Sequence, residues 1–211
     1  MTKITLYLIA IAIVSYFLGG LNGAIITSMN LFKKDVRHFG SGNAGLTNFT
    51  RTFGTGGTPM VIAVDVLKAV ISIFFGGWLM GLAGYPEIGR LFAGFCVMLG
   101  HIYPVYYNFS GGKASLCGEV LVWMIDWRVG LICTLVFLII VVFTKYVSLG
   151  SIIGAACLPL TVWIFGHSGL EVVLALLCGL LIIFAHRENI KRLLSGTESK
   201  LSIGSNSRRS R

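Results

Sequence analysis

Three polar stretches set into an apolar sequence carry the chemistry of this chain. The first runs Arg37-His38-Phe39-Gly40-Ser41-Gly42-Asn43-Ala44-Gly45-Leu46-Thr47-Asn48-Phe49-Thr50-Arg51. Gly40, Gly42 and Gly45 match a GxGxxG spacing, but no βαβ pattern surrounds them, and a dinucleotide fold is excluded on context. The residue types still suit an anion. Glycines let successive backbone N–H groups turn toward one ligand, Ser41, Asn43, Thr47 and Asn48 add side-chain partners, and Arg51 offers a charge-assisted contact to phosphate. A plain flexible loop explains the glycines but not this density of hydrogen-bonding groups.

The second stretch reads Gly100-His101-Ile102-Tyr103-Pro104, then Phe109-Ser110-Gly111-Gly112-Lys113-Ala114-Ser115-Leu116-Cys117-Gly118. A Walker A loop requires Gly at 107 and Ser or Thr at 114; Tyr107 and Ala114 stand there, which excludes that nucleotide loop. Gly111, Gly112 and Lys113 at an expected helix start still suit phosphate. The third stretch begins His186-Arg187-Glu188-Asn189-Ile190-Lys191-Arg192 and runs on to Glu198. His186 and Asn189 share a helix face, as do Asn189 and Arg192. A cationic helix end accounts for Lys191 and Arg192, but not for His186 and Asn189 at the edge of an apolar run. Asp65 and Lys68 lie three residues apart on one face of another apolar run. An unpaired charge there costs about 2.5–3.5 kcal/mol, so the pair is expected to face the interior and, with His101, to support the site.

The elements that must hold these groups are membrane helices. Of 211 residues, 55% are apolar and 12% charged, about half the charge of an ordinary soluble domain. Runs such as 4–17, 131–143 and 172–184 lack Asp, Glu, Lys and Arg and show no polar face. The expected fold is an all-α integral membrane protein with about seven transmembrane helices, at roughly 4–28, 59–82, 89–107, 115–126, 129–144, 151–166 and 169–186. The first run is too long for a signal peptide and lacks a small-x-small cleavage site, so it counts as a span. Residues 1–200 are expected to form one domain, and 201–211 a basic, disordered cytoplasmic tail.

Orientation follows from the basic residues. With the N-terminus outside and the C-terminus cytoplasmic, only Lys3, Arg90 and Arg128 of the 17 Lys and Arg fall outside, and Lys68 lies within a span. This bias accounts for most of the net charge of +9, and nucleic acid is not needed as a partner. All three polar stretches then face the cytoplasm. Cys96, Cys117, Cys133, Cys157 and Cys178 are scattered without a CxxC pair, which suggests neither disulfides nor a metal site. Oligomeric state leaves no signature.

Together these motifs resemble the bacterial acyl-phosphate:glycerol-3-phosphate acyltransferase family over nearly the whole chain. The likeness rests on Gly40–Asn43 with Thr47, Asn48 and Arg51; Asp65 and Lys68; Gly100, His101, Pro104 and Phe109; Gly111–Lys113; Tyr146–Ser151; and His186–Leu193 with Gly196 and Glu198. The resemblance implies acyl transfer from acyl phosphate to the 1-hydroxyl of glycerol 3-phosphate, without metal or other cofactor, at the cytoplasmic face of a bacterial plasma membrane. It implies catalytic roles for Ser41, Arg51, Lys113 and His186. Substrate binding would fall to Gly40, Gly42, Asn43, Thr47, Asn48, Gly111, Gly112, Asn189 and Glu198. The chain departs from the family pattern where Ala114 and Cys117 replace a Gly and a Thr, and where Ala69 replaces a Gly. Two other readings stay open: a catalytically weak or silent relative with a regulatory role, and a transporter or binding protein for a phosphorylated metabolite.

Overall fold

Side-chain caps, prolines and glycines mark where the helices start and stop. The computed structural model describes residues 2–201. Helix α1 (Lys3–Gly19) is capped by Thr2, and α2 (Gly23–Phe32) by Asn22, whose Oδ1 accepts from the Ile25 N–H at 3.0 Å. After a short 3₁₀ turn at Val36–His38 come α3 (Leu46–Phe53) and α4 (Thr58–Gly81), which has Pro59 in its first turn. Helix α5 (Pro86–Ile102) and a second 3₁₀ turn (Val105–Tyr107) lead to α6 (Ser115–Ile125). Asp126 caps α7 (Trp127–Thr144); α8 (Val147–Ile164) follows, and a Ser168–Glu171 capping box opens α9 (Gly169–Ala185). The last helix is α10 (Arg187–Leu194). No strand occurs among the described residues.

By length and composition five segments among the described residues can cross a membrane: Lys3–Phe32, Thr58–Gly81, Pro86–Tyr107, Trp127–Thr144 and Val147–Ile164. A sixth is the pair α9 and α10, bent by 58° at His186, and α6 is a shorter apolar helix. The seven expected spans thus correspond to five long segments, one bent helix pair and one short helix. The run expected at 4–28 is interrupted between Gly20 and Asn22, where α1 ends and α2 is capped afresh. The amphipathic α3 lies within a stretch read from sequence only as a polar loop, and α10 follows the helical spacing read at His186, Asn189 and Arg192.

Helix α5 is the centre of the bundle, packed on α1, α4, α6 and α9, while α7 packs on α6 and α8. At the α4–α5 crossing, Gly76 and Gly89 let the two backbones touch; a Cβ on either would strike the other helix. Outward faces are apolar, with Phe74, Phe143 and Trp163 exposed, as lipid requires. The five cysteines are free thiols. Of the expected tail, residues 202–211 lie outside the described residues.

Candidate functional site

The first polar stretch is a loop knotted around one side chain. Asn48, 3% exposed, accepts the Ser41 N–H on Oδ1 at 2.9 Å. Its Nδ2 donates toward the carbonyls of Phe39 and Asn43, both at 3.0 Å, and of Val36 at 3.3 Å. Gly40 and Gly42 take left-handed conformations (φ 58° and 71°) that glycine allows cheaply, and so the chain can close on Asn48. Asn48 is thereby committed to the loop, and Ser41, Asn43, Thr47 and the exposed Arg51 face a cavity.

The second stretch docks on the first. Gly111 and Gly112 donate their N–H groups to Ile102 and His101 at 3.1 Å, and Gly111 accepts from the Ala44 N–H at 3.4 Å. No side chain fits at 112, where a Cβ would meet the His101 ring and the Ala44 carbonyl. Ala114 has φ 58°, the left-handed conformation for which a glycine is suited, and α6 begins directly after it. The loop therefore keeps a glycine-like path despite the substitution. Beneath it, Asp65 and Lys68 form a buried ion pair at 2.8 Å.

The third stretch supplies the opposite wall. Asn189 accepts from the Lys113 ammonium on Oδ1 and donates Nδ2 to Glu198 Oε1 at 2.7 Å. Glu198 also accepts from Ser148 Oγ and Arg192 Nε, both at 2.7 Å. Burial pushes the Glu198 carboxyl up, but these three donors outweigh it and hold it below the usual carboxylate range. His186 is 3% exposed and its Nδ1 lies 2.8 Å from the Ile182 carbonyl, which can only accept. The proton therefore sits on Nδ1, and Nε2 keeps a lone pair. Burial, followed by the charge of Arg192, lowers the Lys113 ammonium to about 8, with Arg51 adding to the effect and Glu198 opposing it.

These walls enclose about 420 Å³. Among the candidate residues, Ser41, Asn43, Thr47, Asn48, Arg51, Lys113, His186, Asn189 and Glu198 line it together with Asp65 and His101. Gly40, Gly42, Gly111 and Gly112 shape the loops, and Lys68 supports them from below. Arg192, Ser148, Ser151, Glu119 and Thr134 also line the cavity but were not among the expected site residues. Of these only Arg192 carried a spacing signal, three residues beyond Asn189 on the same helix face. Leu116, Phe137, Leu138 and Val147, from α6, α7 and α8, give the cavity an apolar wall. Three cations beside that wall, Arg51, Lys113 and Arg192, suit a molecule with a phosphate head and an alkyl chain. Among the described residues no three His, Cys, Asp or Glu side chains gather as a metal site.

Comparison with known proteins agrees with this geometry. Residues 9–196 match the profile of the family described as glycerol-3-phosphate acyltransferase. The chain is 42% identical over 196 residues to a glycerol-3-phosphate acyltransferase of Thermoanaerobacter pseudethanolicus, covering 93% of this chain and 96% of the relative. A relative of the same name from Clostridioides difficile is 40% identical over 200 residues, covering 92% and 95%. Among solved structures, PlsY, an integral membrane glycerol 3-phosphate acyltransferase, superposes in its glycerol 3-phosphate form with a TM-score of 0.82 at 33% identity, covering 92% of this chain and 96% of that one. Its lysophosphatidic acid form gives a TM-score of 0.80 at 31% identity, covering 92% and 95%.

Proposed function

The chain belongs to the glycerol-3-phosphate acyltransferase family, and from that premise we propose that it acylates the 1-hydroxyl of glycerol 3-phosphate from an acyl phosphate, giving lysophosphatidic acid and inorganic phosphate. The observation that carries this reading is the convergence of Arg51, Lys113 and Arg192 with Ser41, His186 and Asn189 on one cavity that also has an apolar wall. Both substrates are phosphate monoanions or dianions, and both need cations; the acyl donor also needs apolar surface.

In this mechanism the three cations and the Ser41–Asn43 loop hold the two phosphates, and the alkyl chain lies along Leu116, Phe137 and Leu138. The 1-oxygen of glycerol 3-phosphate attacks the acyl carbon, its proton passes to His186 Nε2, and the carbon–oxygen bond to phosphate breaks. Lys113 and Arg192 stabilise the charge that collects on the departing phosphate. Among the described residues no base hydrogen-bonds Ser41 Oγ, which favours direct attack over a serine acyl-enzyme. Glu198 acts through Asn189 and Arg192 rather than on substrate. Asn48 acts through the loop.

The distribution of basic residues supports a multi-pass protein with seven spans, a cytoplasmic site, an external N-terminus and a cytoplasmic C-terminus in a bacterial plasma membrane. Residues 1–200 then form the acyltransferase unit and 201–211 a basic tail near anionic lipid. The test is phosphate release by purified protein in detergent, with acyl phosphates of several chain lengths. Release that requires glycerol 3-phosphate is expected; none at any chain length would sink the assignment.

A further inference from the structure

His101 lies under the second loop with its two ring nitrogens in different settings. The ammonium of Lys68 hydrogen-bonds the carbonyls of Gly19 at 3.0 Å and Leu21 at 2.8 Å, and His101 Nδ1 at 2.7 Å. With Asp65 Oδ1 at 2.8 Å, four partners lie within hydrogen-bond distance of an ammonium that has three protons, and the donors are shared among them. An ammonium has no lone pair, so Nδ1 must accept and the imidazole proton must sit on Nε2. Asp65 Oδ1, at 3.7 Å from Nδ1, is beyond hydrogen-bond range and is occupied by the Gly23 N–H at 3.1 Å.

Nε2 is the ring atom that a Cβ at Gly112 would strike, so it lies against the backbone next to Lys113. His101 is 4% exposed and lines the cavity, and among the described residues no protein group accepts from Nε2. Nε2 is not one of the buried side-chain atoms left without a partner; it opens on the cavity, where a ligand oxygen can accept from it. The Gly111 and Gly112 N–H groups are held by the Ile102 and His101 carbonyls, but the Lys113 ammonium lines the same cavity as His101 and selects an anionic oxygen.

We infer that His101 is a further substrate-binding residue, whose neutral Nε2–H donates to a phosphate oxygen seated on the Gly111–Lys113 loop. Lys68 is its positioning residue: it fixes the tautomer and removes His101 from acid–base chemistry. The inference rests on the phosphate-binding reading of the cavity, not on turnover. It assigns His101 and His186 opposite roles, one presenting a proton and the other a lone pair.

The test compares His101→Asn, which keeps an acceptor for Lys68 where Nδ1 stood, with His101→Gln, which restores an N–H near the position of Nε2. Calorimetric titration with inorganic phosphate and with glycerol 3-phosphate reads the ground-state contact, and KM for acyl phosphate reads the donor's phosphate. In at least one arm His101→Asn should weaken binding about tenfold, the loss of one hydrogen bond to a charged acceptor. His101→Gln should recover to within about threefold of wild type. The ratio of wild type to Asn variant should hold constant from about pH 5.5 to 8.5, across the ordinary histidine range. The charged groups facing the ring from α4 are Asp65 and Lys68, and α6 brings the Cys117 thiol near that pair. Unchanged binding in all three arms, or a ratio that collapses above about pH 6.5, would overturn the inference. Wild-type phosphate binding without turnover would instead sink the acyltransferase reading and leave the His101 comparison readable.

Discussion

Truncating Glu198 tests whether the cavity wall is held together from outside the substrate. Its side chain is 8% exposed and accepts three hydrogen bonds of 2.7 Å, from Ser148, Asn189 and Arg192. Glu198→Ala removes all three at once. The bonds from Ser148 and Asn189 are each worth about 1.5–3 kcal/mol to a charged acceptor. The Arg192 pair is partly exposed, and solvent screening leaves it about 0–1 kcal/mol. The three share one carboxylate and do not add, so about 3 kcal/mol of positioning is at stake, roughly 100-fold in kcat/KM for glycerol 3-phosphate. Glu198→Gln keeps an acceptor for Ser148 but not the charge that holds Arg192, and should lose about tenfold. Steady-state kinetics read beside thermal unfolding in detergent separate the site from the fold. Glu198→Ala within about threefold of wild type, or a loss matched by an equal fall in melting stability, would refute the positioning role.

Ala114→Gly relieves an L-residue at φ 58° and should stabilise the protein by about 1 kcal/mol net of chain entropy, seen as a higher melting temperature. Affinity for glycerol 3-phosphate should fall as pH rises through about 8, where Lys113 loses its proton, and Lys113→Arg should flatten that fall in a calorimetric pH series. Stability moves the other way: between about 8 and the ordinary 10.5 the unfolded chain binds the extra proton, so the Lys113 contribution grows with pH. Lys68→Met strands the Asp65 carboxylate and should cost about 3–5 kcal/mol in thermal unfolding, part of it recovered by adding Asp65→Asn.

Much of the scaffold was legible because lipid-facing helices must be apolar on the outside. The runs that became α4, α7 and α9 could be placed within a few residues by hydropathy. The breaks were not legible, because they depend on local hydrogen bonds. Asn22 restarts the helix inside an apolar run, and His186 ends α9 with a 58° bend. In the site, the glycines, Arg51, Lys113 and Asn189 announced phosphate by residue type, and the structure brings their stretches to one cavity. Asn48 had the composition of a ligand, yet its atoms bind the loop, a distinction that only three-dimensional partners reveal. Glu119 and Thr134 look like ordinary helix residues in sequence and reach the cavity through the packing of α6 and α7.

On the proposed mechanism, acyl transfer occurs in the cavity walled by Arg51, Lys113 and Asn189. Quantifying lysophosphatidic acid and inorganic phosphate together, in wild type and Lys113→Ala, tests it most directly. One phosphate per lysophosphatidic acid in wild type, and neither product above background in the variant, is the expected result. Undiminished lysophosphatidic acid synthesis by Lys113→Ala, with its fold intact, would contradict the account.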